Sequence, residues 1–115
     1  MKISSKISKK DRVQSEEILR SRVEYWARKL KVQPAQVRIQ MMRRKWASCS
    51  PKGWISFNRA LIRESRSFQN YAIIHELLHL EIPNHGKLFK SMMNAFLPNW
   101  KKVKFYTTNP SSAKL

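Results

Sequence analysis

The segment HELLHLEIPNH, residues 75–85, holds all three histidines of the chain and a glutamate directly after the first of them. On an α-helix, His75 and His79 differ by about 40° around the axis and about 6 Å along it, so both imidazoles can reach one metal ion. Glu76 points roughly 100° away from His75, which places it beside such a metal and not on it. A carboxylate there is typical of the general base that acts on metal-held water. The spacing therefore predicts a metal-dependent hydrolase.

The third protein ligand is predicted to be His85. The chain has no Asp or Glu after Glu81, and Glu81 falls on a different side of the helix from the first two histidines. His85 follows the turn that Pro83 indicates. We therefore expect a zinc ion with water in an open fourth position, held by His75, His79 and His85.

Two helices are predicted to position this segment. The first is capped by Ser15 and runs to about Lys31, with apolar residues at helical spacing: Leu19, Val23, Trp26 and Leu30. The second follows Arg66 and is apolar on almost every side, which indicates burial. Because Pro83 disfavours helical geometry at Ile82, we expect this helix to end near Ile82.

A third helix is predicted from about Gly86, with an apolar stripe of core residues: Leu88, Phe89, Met92, Met93 and Phe96. Residues 37–41 alternate as a strand does, and SPKG, with Pro51 and Gly53, predicts a tight turn into the strand WISFN. We expect a hairpin here, and a further short strand at residues 103–106.

At 115 residues the chain has room for one domain. Residues 1–12 are rich in Lys and Ser and are expected to form a flexible basic arm, followed by a single domain over residues 13–107 and a tail over residues 108–115. Cys49 is the only cysteine, which excludes an intrachain disulfide and suits a reducing compartment. No run approaches 18 apolar residues and no secretion signal is present, so we expect a cytoplasmic protein without membrane association.

Lys and Arg number 24 against 7 Asp and Glu, which gives a formal net charge of +17. Such a charge favours contact with polyanions, although it is equally typical of a solvated basic surface. Residues that would contact nucleic acid lie in two short basic runs: Arg43, Arg44, Lys45, Lys101, Lys102 and Lys104. Aromatic residues near these runs would supply stacking platforms.

The stretches KWASCSPKGWISFN and FQNYAIIHELLHLEIPNHGKLFK resemble the YgjP-like metallopeptidase domain family of predicted metal-dependent hydrolases, which are related to the SprT-like zincins. The resemblance covers roughly residues 37–100, and Ala47 stands where the family usually has glycine. It implies the same three histidine ligands, Glu76 as the catalytic acid or base, and a cleft bordered by strand residues: Trp46, Ser48, Cys49 and Asn58. The implied fold is α+β and zincin-like, with a small twisted antiparallel sheet packed on the active-site helix, flanking helices, and an edge strand beside the substrate groove.

The activity expected from these residues is hydrolysis of a peptide bond with zinc as cofactor. Zinc would polarise the carbonyl, Glu76 would take the proton of the attacking water, and an edge strand such as Trp54–Asn58 would pair with an extended peptide or protein substrate. Four residues are candidates for contacting the transition state or the substrate: Asn58, Arg59, Tyr71 and Tyr106.

Two other functions fit the same residues. The first is a metal-dependent nucleotide or phosphoester hydrolase, in which the surplus Lys and Arg neutralise phosphate; the lack of carboxylates after Glu81 argues against a two-metal site. The second is a basic module associated with nucleic acid or nucleoprotein, in which zinc is structural. A closed zinc site would need a fourth protein ligand, either Cys49 or a carboxylate.

Overall fold

The computed structural model of the protein describes residues 8–103, which fold into helices and a small sheet. The elements in chain order are α1 (Lys9–Leu30), β1 (Gln36–Gln40), β2 (Ala47–Cys49), β3 (Trp54–Asn58), a 3-10 helix (Arg59–Arg63), α2 (Arg66–Leu78), α3 (Lys87–Phe96) and α4 (Trp100–Val103). The predicted α+β class is confirmed. The boundaries at residues 13 and 107 stay predictions.

The hairpin predicted around SPKG is confirmed as β2 and β3, which pair antiparallel. Gly53 has φ +84°, a left-handed conformation that L side chains rarely adopt, and its N–H donates to Ser50 O at 3.0 Å. The N–H of Ser50 donates to Trp54 O at 2.9 Å and closes the loop. A glycine at this position therefore allows the turn that brings the two strands together.

β1 pairs with β3 in parallel, so the sheet is mixed and not antiparallel throughout as predicted. The strand order is β1-β3-β2, and Val37 lies opposite Ile55 while Ile39 lies opposite Phe57. After β1, the chain crosses to the opposite edge of the sheet and forms β2, which runs in the opposite direction to β1. It then turns back and forms β3 between β1 and β2. Consecutive strands are therefore antiparallel in direction, but β1 and β2 are not neighbours.

α2 lies at the centre of the core, which confirms the burial predicted from its apolar sequence. Ten of its residues are buried, including Ile73, Ile74 and Leu77 with no exposed surface. Ile55 and Phe57 of β3 are equally buried in the same core. A helix surrounded on all sides by packed side chains is a rigid base for polar groups that project from it.

α1 packs against α2, and the indole N–H of Trp26 donates to Asn70 Oδ1 at 3.1 Å. α1 begins at Lys9 and not near Ser15, because Ser8 acts as the N-cap and its hydroxyl accepts from the N–H of Asp11 at 3.0 Å. The predicted end near Lys31 is confirmed, since α1 ends at Leu30.

The third predicted helix is confirmed as α3, with two differences nearby. Phe89 and Met93 are buried as expected, whereas Leu88 is 62% exposed and lies outside the core. Val103 ends α4 and does not begin a strand; residues 104–106 of that prediction lie outside the described residues. No helix in the described range is both long enough and apolar enough to cross a bilayer.

Candidate metal centre

The three histidines come together at the C-terminal end of α2. His75 lies in its last turn, His79 is its C-cap, and His85 lies in the loop before α3. One possible ligand nitrogen from each ring can be chosen so that all lie within 4.8 Å of one another. The ring centroids of His75 and His79 are 4.7 Å apart, and those of His79 and His85 are 4.8 Å apart. The spacing predicted from the sequence therefore corresponds to a real cluster.

The chain around His79 tightens as α2 ends. The N–H groups of His79, Leu80 and Glu81 each donate to the carbonyl three residues earlier, at 3.1 Å, so regular α-helix stops at Leu78 and not near Ile82 as predicted. His79 keeps right-handed helical angles, φ −66° and ψ −14°. The four-residue relation between the first two histidines therefore survives the early end of the helix.

The hydrogen bonds of His75 and His79 leave one nitrogen of each ring available to bind a metal. His79 Nδ1 lies 3.0 Å from Ile82 O, and His75 Nδ1 lies 3.0 Å from Glu76 Oε2. A carbonyl and a carboxylate only accept, so Nδ1 carries the proton in both rings and Nε2 keeps its lone pair in the neutral form. These two partners set the tautomer that metal binding requires.

The cluster fits a metal ion that prefers nitrogen ligands. Nitrogens about 2 Å from one ion lie at most about 4 Å apart, so small ring rotations bring the three donors into range. His79 Nε2 and His85 Nε2 are already 2.8 Å apart and share a hydrogen bond, whose proton must leave when both nitrogens bind a metal.

Glu76 lies beside the histidines and lines a cleft of about 490 Å³ together with His79, Lys45 and Cys49. Its side chain is 2% exposed. Burial first, and the negative charge of Glu76 second, raise the pKa of Tyr71 to about 12 and raise the pKa of the Cys49 thiol. The carboxylate is therefore close enough to influence groups on two sides of the site.

β2 is the sheet edge beside this cleft, and the expectation that Trp54–Asn58 is the edge strand is wrong because β3 is central. The carbonyl of Trp46 and the N–H of Ser50 bond to β3, so alternate residues face β3 while Ala47 and Cys49 direct their backbone groups away from it. Ala47 has no exposed surface, whereas Cys49 is partly exposed. The edge is therefore open at Cys49.

Asn58 and Arg59, two candidates for substrate contact, lie in a separate pocket of about 340 Å³. The Asn58 amide donates to Met42 O and to Lys45 O, both at 2.8 Å, and its oxygen accepts from the N–H of Ala60 at 3.0 Å. Arg59 Nε donates to Glu16 Oε2 at 2.7 Å. Both side chains are engaged in structural contacts.

Tyr71, the third candidate, is near the cluster. Its ring centroid is 5.7 Å from that of His75, and its ring stacks on Trp100 at 6.3 Å. The fourth candidate, Tyr106, lies outside the described residues. Of the described candidates, Tyr71 is therefore the one that the fold brings beside the histidines.

The proposed nucleic-acid contacts fall in two places. Arg43 and Arg44 are exposed in the loop between β1 and β2, and Lys45 follows them at the cleft. Lys101 and Lys102 are exposed on α4, and Lys104 lies outside the described residues. No contact with a nucleic acid is shown, so this role stays a prediction.

Phe89 is a site residue that the sequence indicated only as part of the core. Its ring centroid lies 5.2 Å from that of His75, 4.9 Å from that of His79 and 4.7 Å from that of His85. The signal in the sequence was its position four residues after His85 on an apolar helix stripe. Only the fold shows that this ring meets all three imidazoles.

A protein-family model of the YgjP-like metallopeptidase domain matches residues 2–106. The chain belongs to this family. A comparison with curated proteins gives no significant match. The predicted metallopeptidase is thus confirmed, and the three histidines form a group that is able to hold its metal ion.

Two crystal structures of archaeal metallopeptidase zymogens share the fold of this YgjP-like domain. Jannalysin of Methanocaldococcus jannaschii is 21% identical with a TM-score of 0.69, and the match covers 76% of this chain and 90% of that one. Abylysin of Pyrococcus abyssi is 25% identical with a TM-score of 0.68, and the match covers 76% of this chain and 89% of that one. The predicted zincin-like fold is confirmed.

Proposed function

We propose that this YgjP-like metallopeptidase binds zinc through His75, His79 and His85 and uses Glu76 as general base in peptide hydrolysis. The observation that carries the proposal is the convergence of three imidazoles on one point, with the Glu76 carboxylate in the adjoining cleft. A site built only to hold a structural ion would not need an acceptor of protons beside it.

Zinc fits the donor set, whereas magnesium and calcium do not. Three neutral imidazoles suit a borderline metal, whereas magnesium and calcium take oxygen ligands. When bound, zinc supplies Lewis acidity, which polarises a carbonyl and lowers the pKa of the water it binds to about 7. The protein contributes the three ligands, the fixed tautomers of His75 and His79, and the proton acceptor.

Glu76 is suited to moving a proton because it is buried and held in place. Oε2 accepts from His75 Nδ1–H, which fixes the carboxylate next to the cluster. In the reaction the carboxylate takes the proton of the attacking water and can pass it to the leaving amine. Since the side chain is 2% exposed, few solvent waters compete for that role.

The substrate is proposed to be an extended peptide that lies along the cleft at Cys49. The N–H and C=O of Cys49 point away from β3 and offer one pair of hydrogen bonds to a peptide backbone. Tyr71 is the proposed donor to the developing oxyanion, because its ring lies 5.7 Å from that of His75 and its hydroxyl is a hydrogen-bond donor.

The other functions have less support. Within residues 8–103 the histidine triad is the one group of metal-ligating side chains, whereas a two-metal phosphoesterase needs ligands for a second ion. Nucleic-acid association rests on the +17 charge and on two short basic runs with aromatic residues nearby. A cytoplasmic location remains a prediction.

The proposal is tested with purified full-length chain. We expect one zinc per chain, hydrolysis of members of a peptide library, loss of activity with a chelator, and recovery when zinc is added back. His85→Ala should lower zinc affinity and abolish activity, because it removes one of three ligands.

Glu81→Gln is the control for that variant. Glu81 is exposed, follows the same helix end and would be the alternative acidic ligand. The Glu81→Gln variant should bind zinc and hydrolyse peptide as the wild type does. Loss of zinc from Glu81→Gln, with zinc retained by His85→Ala, would show that Glu81 and not His85 is the third ligand.

A further inference from the structure

Phe89 sits against the inner side of the histidine cluster. It lies in the first turn of α3, is 2% exposed, and has all three histidine ring centroids within 5.2 Å of its own. Its ring is nearly parallel to that of His79, at 26°, and close to perpendicular to that of His75, at 77°. Such offset and edge-to-face contacts are the arrangements that aromatic rings prefer.

We propose that Phe89 is a positioning residue of the metal centre, which holds the three imidazoles in the orientation that binds the ion. The proposal rests on the metal site of the proposed function. An imidazole that turns about its side-chain bonds must be ordered when it binds a metal, and that ordering weakens binding. A rigid ring in contact with all three imidazoles imposes the order before the ion arrives.

The position of Phe89 also links the metal centre to the fold. His85 lies two residues before α3 and Phe89 lies in its first turn, so the same segment carries the third ligand and the ring. Met93, four residues further on, has no exposed surface and fixes α3 in the core. When α3 docks on α2, His85 and the ring that holds it therefore reach the other histidines together.

Positioning of the three imidazoles requires an aromatic ring at residue 89 and not only an apolar side chain that fills the same volume. Phe89→Leu keeps an apolar side chain of similar size but removes the ring, so it separates positioning from core packing. Met93→Leu makes a comparable change one turn away, at a buried residue of the same helix. Methionine has no ring, so this change removes no ring contact with the histidines. It is the matched control.

The first measurement uses metal-free protein and needs no activity. Proton NMR of the wild type should show contacts from the Phe89 ring protons to the rings of all three histidines. Phe89→Leu should shift the ring-proton signals of all three histidines, because the ring current is lost, while Met93→Leu should leave them nearly unchanged. Contacts to fewer than two histidine rings in the wild type would overturn the proposal.

The second measurement is the zinc dissociation constant, obtained by competition with a chelator. Phe89→Leu should weaken zinc binding about 10-fold or more, the scale seen when groups that orient metal ligands are removed. Met93→Leu should change it by less than about 2-fold. If Phe89→Leu does not fold, as judged by circular dichroism, Phe89→Met provides the same comparison with a more adaptable side chain.

The outcomes separate this proposal from the proposed function. Weaker zinc binding in Phe89→Leu, combined with a wild type that binds zinc but hydrolyses no peptide, supports the positioning role and rejects the peptidase. Equal zinc affinity in Phe89→Leu and wild type, or an equal loss in Met93→Leu, overturns the positioning role. A wild type that binds no zinc overturns both.

Discussion

Replacing Glu76 with Gln tests the catalytic site most directly, because it removes a proton acceptor and keeps the shape. The Gln carbonyl can still accept from His75 Nδ1–H, so the ring that Glu76 holds should stay in place. The zinc content should remain one per chain and the melting temperature should change little. Loss of a general base costs about 10²- to 10⁴-fold in rate, or about 3 to 5 kcal/mol of barrier.

The burial of Glu76 places the expected loss in the upper part of that range. The side chain is 2% exposed, so bulk water has little access to replace the missing base. A second effect is independent of activity: the pKa of Tyr71 and that of the Cys49 thiol should both fall, because the charge of Glu76 raises each of them. Burial would still keep the pKa of Tyr71 above its ordinary value of 10.0.

The assay compares zinc content, melting temperature, turnover of the peptide found by library screening, and the alkaline titration of tyrosine absorbance. Glu81→Gln makes the same chemical change at an exposed site four residues from His85 and should match the wild type throughout. Unchanged turnover in Glu76→Gln with zinc bound would refute the general-base assignment and favour a structural zinc.

Four further predictions follow from the contacts described. Tyr71→Phe should lower kcat about 10²-fold with little change in KM; between pH 10 and 12 the unfolding free energy of the wild type should fall relative to this variant, since the unfolded tyrosine ionises near 10 and the folded one near 12. Asn58→Ala should destabilise the fold in urea by about 2 to 4 kcal/mol, against about 1 kcal/mol for Asn70→Ala, because the first loses three hydrogen bonds and the second one. Cys49 in the folded wild type should react with iodoacetamide at pH 8 more slowly than Cys49 in the unfolded chain, because its thiol pKa is raised. In folded Glu76→Gln it should react faster than in the folded wild type, because one cause of that raised pKa is removed. If the basic surface binds nucleic acid, log affinity should fall linearly with log salt; no gel retardation of DNA or RNA at low salt would reject that role.

The histidine cluster could be predicted from the sequence because its members are local. His75 and His79 are related by one turn of helix, and His85 follows within the reach of a short loop, so helix geometry and the lack of later carboxylates were sufficient. The burial of α2 was equally readable, since its apolar residues occupy every side. These features depend on neighbours in sequence.

The features that sequence did not reveal depend on partners far away in the chain. β1 pairs with β3 across an intervening strand, and nothing in the alternation of residues 37–41 specifies that neighbour. Asn58 looked like a cleft residue, but its amide closes the loop at Lys45 through contacts 13 residues distant. Phe89 read as one core residue among five, because a helix stripe shows which side is apolar and not what that side touches.

The shortness of β2 also limits strand addition by a second copy of the chain at this edge of the sheet. A sheet edge with a long row of unpaired backbone groups invites a second chain to add a strand, and this is a common route to aggregation. Here the strand has three residues, Ala47 is covered, and the edge is flanked by the charge of Lys45 and by Pro51, which has no N–H to donate. One residue's pair of backbone groups is too little to start a ladder. At the β2 edge, a second copy of the chain therefore finds too few unpaired backbone groups to add a strand.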